Sequence, residues 1–508
     1  MISINAALLL IAVLIYWIKS SKRRDLPPGP TPLPILGNAH QLFWAYLNGK
    51  SHVEIFIEWK KRYGNVYTMY VGPFHCVIIA DYKTTMEAFV KNGEHHAARP
   101  PFFMFNTERN DLGVTFAKGD GWQEQRRFSL RTLRDFGFGR NIMQLRILEE
   151  FHFQTEKLDH QIDQNKGEPL VIDPRQFVDL LISSIINRIL VGYRYDESHM
   201  DEFNTLKHGL DREFDALTIW DLAFLNKNTY QLPGFSKRWD LTASHQRVMH
   251  VHMKKIVKQR LDEIAAGHHH LDFEHGGDDY VDAYLIKLHE MREKREFLGW
   301  FSEEALAANI LDLWMAGTET TIQSLMWFLI FTLNNAHVQE KLREESHGIT
   351  NGNCDIELKD RPSMPYTNAV VTEVLRCTNV LNFNFFHETT TETVVGDYLI
   401  PKNVNITSQL SVILNDEGDF PNPGKFDPDR YMNDKELSKR VIAFGVGKRS
   451  CVGESLARAE LFLIISNFVQ KYKFSPPDDC AAAPEEELSC LLFLKRTQRF
   501  KMKIEKVH

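Results

Sequence analysis

Ten residues, Phe444-Gly445-Val446-Gly447-Lys448-Arg449-Ser450-Cys451-Val452-Gly453, constrain the fold more than any other stretch of this chain. Three glycines crowd around one cysteine, and glycine adopts positive φ without steric cost. The backbone is therefore free to wrap tightly and turn its N–H groups towards the sulfur. Arg449 and Lys448 add positive charge, and both effects favour a thiolate. The helical pattern Glu454–Val469 follows, so the cysteine sits just before a helix N-terminus, where the macrodipole also favours a negative sulfur. An anionic sulfur shielded by backbone suits a metal ion. A structural cysteine in a glycine-rich turn is the alternative that one cysteine alone leaves open.

The rest of the chain limits the context. Hydrophobic residues make up 43% and charged residues 25% of 508, an ordinary globular balance. The formal net charge of -7 argues against nucleic-acid binding as the main function. Six cysteines lie scattered with no CxxC pair, which reads as a reducing compartment and not a disulfide scaffold. A glycosylation sequon, Asn405-Ile406-Thr407, should stay unmodified if the body faces the cytosol. His268-His269-His270 fits no zinc spacing and, between Gly267 and Gly276-Gly277, reads as a solvated loop.

Ile2 to Ile18 is almost wholly apolar and reaches the lower limit for a bilayer-spanning helix. Tyr16 and Trp17 sit at the expected interface, and Lys19, Lys22, Arg23 and Arg24 follow at once. Positive charge stays cytoplasmic, so the body is predicted on the cytosolic side. A cleaved signal peptide would carry its charges before the apolar run and a small-residue cleavage site after it. Leu26-Pro27-Pro28-Gly29-Pro30-Thr31-Pro32 cannot continue a helix and predicts a short, stiff extended spacer. The predicted division is an anchor over 1–20, a basic and proline-rich hinge over 21–38 and one domain over 39–508, because no linker interrupts the chain after its start.

The body reads as mainly α with a minor β component. Asp201–Asp221, Leu241–Ala266 and Ser302–Asn334 show three- and four-residue apolar spacing. Val66–Gly72, Cys76–Ile79, Thr393–Ile400, Asn405–Leu410 and Phe500–Ile504 read as strands. Within the longest helix, Ala316-Gly317-Thr318-Glu319-Thr320-Thr321 combines a glycine, costing about 1 kcal/mol against alanine, with threonines able to bond back and bend the helix. That run predicts either a place where something must fit or a kinked core helix with incidental threonines.

Set among these segments, the decapeptide resembles the haem-binding signature of cytochromes P450, F-x-x-G-x-R-x-C-x-G, through Phe444, Gly447, Arg449, Cys451 and Gly453. Cysteine thiolate is that family's axial iron ligand. Further motifs follow in the family's order. The Ala316–Thr321 run matches the family's oxygen-side helix, which implies that Glu319 and Thr320 form an acid–alcohol pair delivering protons. Glu373-Val374-Leu375-Arg376, with Phe426-Asp427-Pro428-Asp429-Arg430-Tyr431, resembles the ExxR helix and its completing arginine. This gives Glu373, Arg376 and Arg430 a structural role, with Asp429 and Tyr431 standing where Glu and Phe are commoner. Trp122-Gln123-Glu124-Gln125-Arg126 resembles W-x-x-x-R, whose indole N–H and guanidinium suit a haem propionate. Arg99 and His387 lie where microsomal members place further propionate partners, with a plain hydrogen-bonded loop histidine as the other reading of His387, and Phe444 and Arg449 complete the implied cofactor set. The proline-rich hinge matches the microsomal branch.

The resemblance implies a single-domain cytochrome P450 fold behind an N-terminal transmembrane anchor, on the cytosolic face of the endoplasmic reticulum membrane. It implies haem b as cofactor and insertion of one oxygen atom from dioxygen into a small hydrophobic substrate: a fatty acid, sterol or xenobiotic. NADPH serves indirectly, through NADPH–cytochrome P450 reductase, with cytochrome b5 as an accessory donor. Arg127, Arg131, Arg134, Lys439, Arg440 and Lys448 flank the relevant motifs and read either as a docking patch for an acidic partner or as ordinary solvated charge. The substrate pocket is expected from Pro101–Phe116, Phe203–Phe224, the helix before Gly317, Leu381–Phe386 and Leu491–Phe493. The aromatics Phe102, Phe103, Phe105, Phe383, Phe385 and Phe386 read equally as pocket wall or as core. Two rival functions are a P450-fold isomerase or dehydratase and a membrane haem sensor without turnover; the intact Glu319-Thr320 pair counts against both.

Overall fold

The computed structural model describes residues 11–12, 26–72, 74–136, 141–165, 168–478, 483–485, 487–490 and 494–507. The predicted anchor lies outside them except for Ile11 and Ala12, and no helix among the described residues is long and apolar enough to cross a membrane. The body is mainly helical with short sheets, as its periodicities predict.

At its centre runs the helix Glu303–Asn334, apolar almost all round and buried along nearly its whole length, as expected of a core helix. Ser302 starts it by accepting the Ala305 N–H at 3.0 Å. Helices Arg175–Val191, Phe235–Ala265, Pro365–Thr378 and Glu454–Lys471 pack around it. Gly317 answers to that packing: a Cβ there would stand 2.8 Å from Ile186 Cδ1. The helix continues unbroken through 316–321, where Thr320 Oγ1 donates to Ala316 O at 2.7 Å. The run thus marks close helix packing without a break.

The main sheet orders its strands Val66–Val71, Phe74–Ile79, Asn405–Ser408 and His387–Glu388. The first pair is an antiparallel hairpin, whereas Phe74–Ile79 and Asn405–Ser408 run parallel, Cys76 opposite Asn405. That long-range pairing carries the segment 381–388 onto the hairpin. The predicted strand Thr393–Ile400 is a hairpin of Thr393–Val395 and Tyr398–Ile400, turning at Gly396 with φ +59°. The predicted helix Asp201–Asp221 divides into Met200–Ala216 and Ile219–Phe224, because Leu217 is extended and Thr218 with Asp221 forms a new capping box.

Residues 26–32 of the hinge form no helix and Leu33–Gly37 close a tight turn, so the described part is no free extended spacer. Thr68 donates its N–H to Pro28 O at 3.0 Å and its hydroxyl to Pro27 O at 2.7 Å. Backbone carbonyls of the prolines, which carry no N–H of their own, are thereby fastened to the sheet.

Glu373, Arg376 and Arg430 meet in one buried network. Arg376 binds Glu373 in bidentate fashion, 2.8 Å at each oxygen, with both side chains fully buried. Arg430 Nε donates to Glu373 at 3.0 Å. Tyr431, the departure from the commoner phenylalanine, adds its hydroxyl to Glu373 at 2.8 Å. Breaking one partner of such a buried pair typically costs 3–5 kcal/mol.

Candidate active site

Cys451 closes the glycine loop. Its N–H donates to Phe444 O at 2.9 Å and that of Ser450 to Gly447 O at 3.0 Å. Gly445 and Gly447 have φ of +68° and +83°, and a Cβ at Gly447 would stand 1.9 Å from Phe89 O. The helix Glu454–Lys471 begins three residues beyond the sulfur. Burial pushes the free thiol up to about 11, against the opposing pull of the Gly453 and Glu454 N–H groups and of Arg126.

Cys451 borders a cavity of about 260 Å³, walled on its other side by Ala316, Gly317 and Thr320 of the central helix. Phe444 lines it, with the Arg458 guanidinium 4.9 Å from its ring centre. Three further guanidiniums converge on the cavity: Arg99, Arg126 and Arg449. None meets a carboxylate among the described residues. Arg99 donates to Thr115 O and Phe386 O at 3.3 and 2.8 Å, Arg126 to Ser450 O at 2.5 Å, and Arg449 to Ala97 O and Ala117 O, each at 2.9 Å. Arg449 Nη1 is buried with no partner among the described residues. Burial, and then repulsion from Arg99 and Arg126, push the Arg449 guanidinium down. A guanidinium keeps its proton at neutral pH, so three clustered cations demand an anion. The two propionates of a haem b would meet that demand, held by Arg99, Arg126 and Arg449, with Cys451 as the thiolate ligand.

Three of the expected site residues are held by partners away from the cavity. Trp122 does not line the cavity: its indole N–H goes to Val114 O at 3.1 Å, and its ring serves as a platform 3.3 Å beneath the Arg449 guanidinium carbon. His387 belongs to the edge strand His387–Glu388, and its Nδ1 lies 2.7 Å from His96 O and its Nε2 3.2 Å from Asn384 O, both backbone carbonyls. Burial, then Arg99, push it well below its usual value. Glu319 does not sit beside the Thr320 hydroxyl. Successive helical residues project about 100° apart, and Glu319 turns away to Lys207 at 3.2 Å, Arg175 at 3.3 Å and Arg496 at 3.5 Å. Burial works to raise its carboxyl, but these three cations outweigh it and hold it well below the usual range.

Of the expected pocket segments, Val114, Thr115, Asp312, Leu381, Phe383 and Phe385 reach the cavity, no residue of 203–224 does, and Leu491–Phe493 lie outside the described residues. Most of the aromatics are packing: Phe105 stacks on Phe116 at 4.3 Å, and Phe102 meets Phe116, Phe105 and Phe386. In the basic patch, Lys439, Arg440 and Lys448 pair with Glu436, Asp419 and Glu94. Arg127, Arg131 and Arg134 are exposed.

Two acids on the cavity wall escaped the sequence reading. Asp312 interrupts the apolar run Asn309–Met315, and Glu460 interrupts the buried face of Glu454–Lys471. Each was visible as a charge inside an apolar helix face.

A family model described as Cytochrome P450 matches residues 27–504. The chain is 34% identical over 455 residues to "Probable cytochrome P450 cyp-35D1" of Caenorhabditis elegans, covering 88% of each. It is 33% identical over 474 residues to "Cytochrome P450 2C25" of Mesocricetus auratus, covering 92% of each. With "Cytochrome P450 2C55" of Rattus norvegicus it shares 34% over 462 residues, 90% of this chain and 89% of that one.

Proposed function

The chain belongs to the cytochrome P450 family and is a haem-thiolate monooxygenase; on that premise we propose that Cys451 is the axial iron ligand and that small hydrophobic molecules such as fatty acids, sterols or xenobiotics are the substrates. The observation that carries the site is the convergence of the Cys451 sulfur and three carboxylate-free guanidiniums on one cavity. Haem, when bound, supplies the chemistry that places one atom of dioxygen in the substrate and releases the other as water.

The chain's residues do the rest. Arg99, Arg126 and Arg449 hold the propionates, with Trp122 positioning Arg449 from below. Phe444 and the glycine loop hold the sulfur at the cavity wall. Thr320, facing the cavity, holds and passes a proton. Electrons come from NADPH through NADPH–cytochrome P450 reductase, with cytochrome b5 as a second donor. Exposed Arg127, Arg131 and Arg134 on one helix support docking of an acidic partner. Association with the endoplasmic reticulum membrane is supported by exposed Leu33, Ile35, Phe43, Trp44 and Leu47, which follow the apolar segment Ile2–Ile18 and its basic flank.

The reading is tested by the ferrous–carbonyl spectrum and by product formation. A red-shifted thiolate Soret band, and product that requires both NADPH and the reductase, are expected. Cys451→Ala should lose the band. A globin-like band in the native protein, or product formed without reductase, would overturn the assignment.

A further inference from the structure

One side chain on the cavity wall lies outside every fixed position of the family motifs. Asn384 interrupts the apolar residues of Leu381-Asn382-Phe383-Asn384-Phe385-Phe386, lines the cavity and is 8% exposed. Its backbone is pinned on both sides. Its N–H donates to Ser408 O at 3.0 Å, and its carbonyl stands 3.2 Å from His387 Nε2. Phe385, next in the chain, has φ +43°, a left-handed conformation that bulky side chains avoid. The Thr407 hydroxyl donates to the Phe385 carbonyl at 2.8 Å. The main sheet thus holds a strained turn that fixes where the Asn384 amide goes.

That amide reaches the glycine loop. A Cβ at Gly445 would stand 2.2 Å from Asn384 Oδ1, so glycine at 445 is what admits it. The haem-binding signature leaves position 445 open, and the fit therefore belongs to this chain's own pair, Asn384 and Gly445. The cavity's cations are close by: Arg99 donates to Phe386 O at 2.8 Å and stands 5.3 Å over the Phe385 ring. Asn384 Nδ2 and Arg449 Nη1 are both buried atoms with no partner among the described residues, and both residues line the one cavity. Buried donors are almost always paired, so two of them left over in one cavity require an acceptor. Because the amide packs on the glycine loop, in the company of Arg99 and Arg449, that acceptor is the cofactor's and not the substrate's.

We propose that Asn384 donates through Nδ2 to one haem propionate, as a neutral partner beside the three guanidiniums. The inference rests on the haem-thiolate reading of the cavity. The residue type suits the task. Three cations already exceed the two negative charges of the propionates, so a fourth would add repulsion in a low-dielectric interior. An amide adds a hydrogen bond and no charge.

The test uses full-length protein loaded with haem b or with either of the two haems that lack one propionate. The readout is the rate of haem transfer to excess apomyoglobin. With haem b, Asn384→Leu should lose the cofactor about tenfold faster than the native protein, the worth of one hydrogen bond to a charged group, and its propionate-bending Raman band should shift. Asn384→Ala, which adds no new contact, should match it. Asn384→Asp, alike in shape but turning an oxygen towards an oxygen, should lose haem faster still. With the haem that lacks the propionate held by Asn384, the native protein and Asn384→Leu should lose it at one rate. With the other single-propionate haem the tenfold difference should return. That pattern is a coupling between side chain and propionate, which packing alone cannot produce. Equal rates with haem b would show that the amide serves only water and would overturn the proposal. A difference that persists unchanged with both single-propionate haems would assign Asn384 to packing on Gly445 and overturn it too. In either case an intact thiolate carbonyl band would leave the monooxygenase reading standing, whereas its absence in the native protein would sink that reading first.

Discussion

Glu460 shows what a single residue can impose on the whole. It is 1% exposed, accepts only from Thr321 Oγ1 at 3.3 Å, and its Oε1 has no partner among the described residues. In the unfolded chain its carboxyl ionises at the ordinary 4.5; in the folded chain burial keeps the proton on until about 8. The stability tied to this group is complete below pH 4.5 and is lost as the pH climbs through 8. At about 1.4 kcal/mol per unit, the loss by pH 9 amounts to a few kcal/mol. Glu460→Gln keeps the shape and removes the charge. Its thermal midpoint should match the native protein near pH 5 and exceed it by several degrees at pH 9. Equal midpoints at pH 9 would show that the carboxyl ionises without penalty. Tyr431 makes the opposite kind of contribution. Its hydroxyl serves Glu373, an ionised acceptor, so Tyr431→Phe should cost about 1.5 kcal/mol, read as faster loss of the carbonyl band on heating.

At the scale of elements, the glycine loop before helix Glu454–Lys471 offers the sharpest contrast. Gly447 and Gly49 both have positive φ, +83° and +73°, where an L side chain costs about 1–2 kcal/mol. Nothing lies within 4 Å of a Cβ at Gly49, whereas one at Gly447 meets the Phe89 carbonyl. Gly49→Ala should cost only the conformational term and keep full haem content. Gly447→Ala should break the loop and lose the thiolate carbonyl band. Comparable haem content in the two variants would count against the loop as the determinant. The elements were largely legible in sequence where one periodicity ruled, as in Ser302–Asn334 with its serine cap. They were illegible where a turn reset the chain, as at Leu217-Thr218, or where distant strands decided the pairing, as between Phe74–Ile79 and Asn405–Ser408. The site divides likewise. The glycine loop could be read from residue type and spacing, because its chemistry is local, and the arginines through the family resemblance. The directions of Glu319, Trp122 and His387 could not, because each is set by partners outside its own motif: Lys207 and Arg496, Val114 and Arg449, and His96.

The whole molecule is built around a charge imbalance that only its cofactor corrects. Arg99 and Arg449 are buried, Arg126 is partly so, and all three lie around one cavity with backbone carbonyls as their only described hydrogen-bond partners. Burial pushes each guanidinium down, and Arg99 and Arg126 act further on Arg449. An interior of low dielectric strengthens both that repulsion and any attraction to an anion. Haem binding should therefore stabilise the protein beyond the ordinary linkage of a tight ligand, and the excess should depend on these arginines. Arg449→Met keeps most of the side-chain volume and the contact with Trp122 while deleting one cation. Without haem, this variant should unfold at a higher temperature than the native apoprotein, because a repulsion has been removed. With haem, it should unfold at a lower temperature than the native holoprotein, because a propionate has lost its partner. The change of sign between the two states, measured by calorimetry on paired samples, is the outcome that packing alone cannot produce. A variant less stable in both states would show that Arg449 holds the fold through Ala97 and Ala117 and has no special bond with the cofactor.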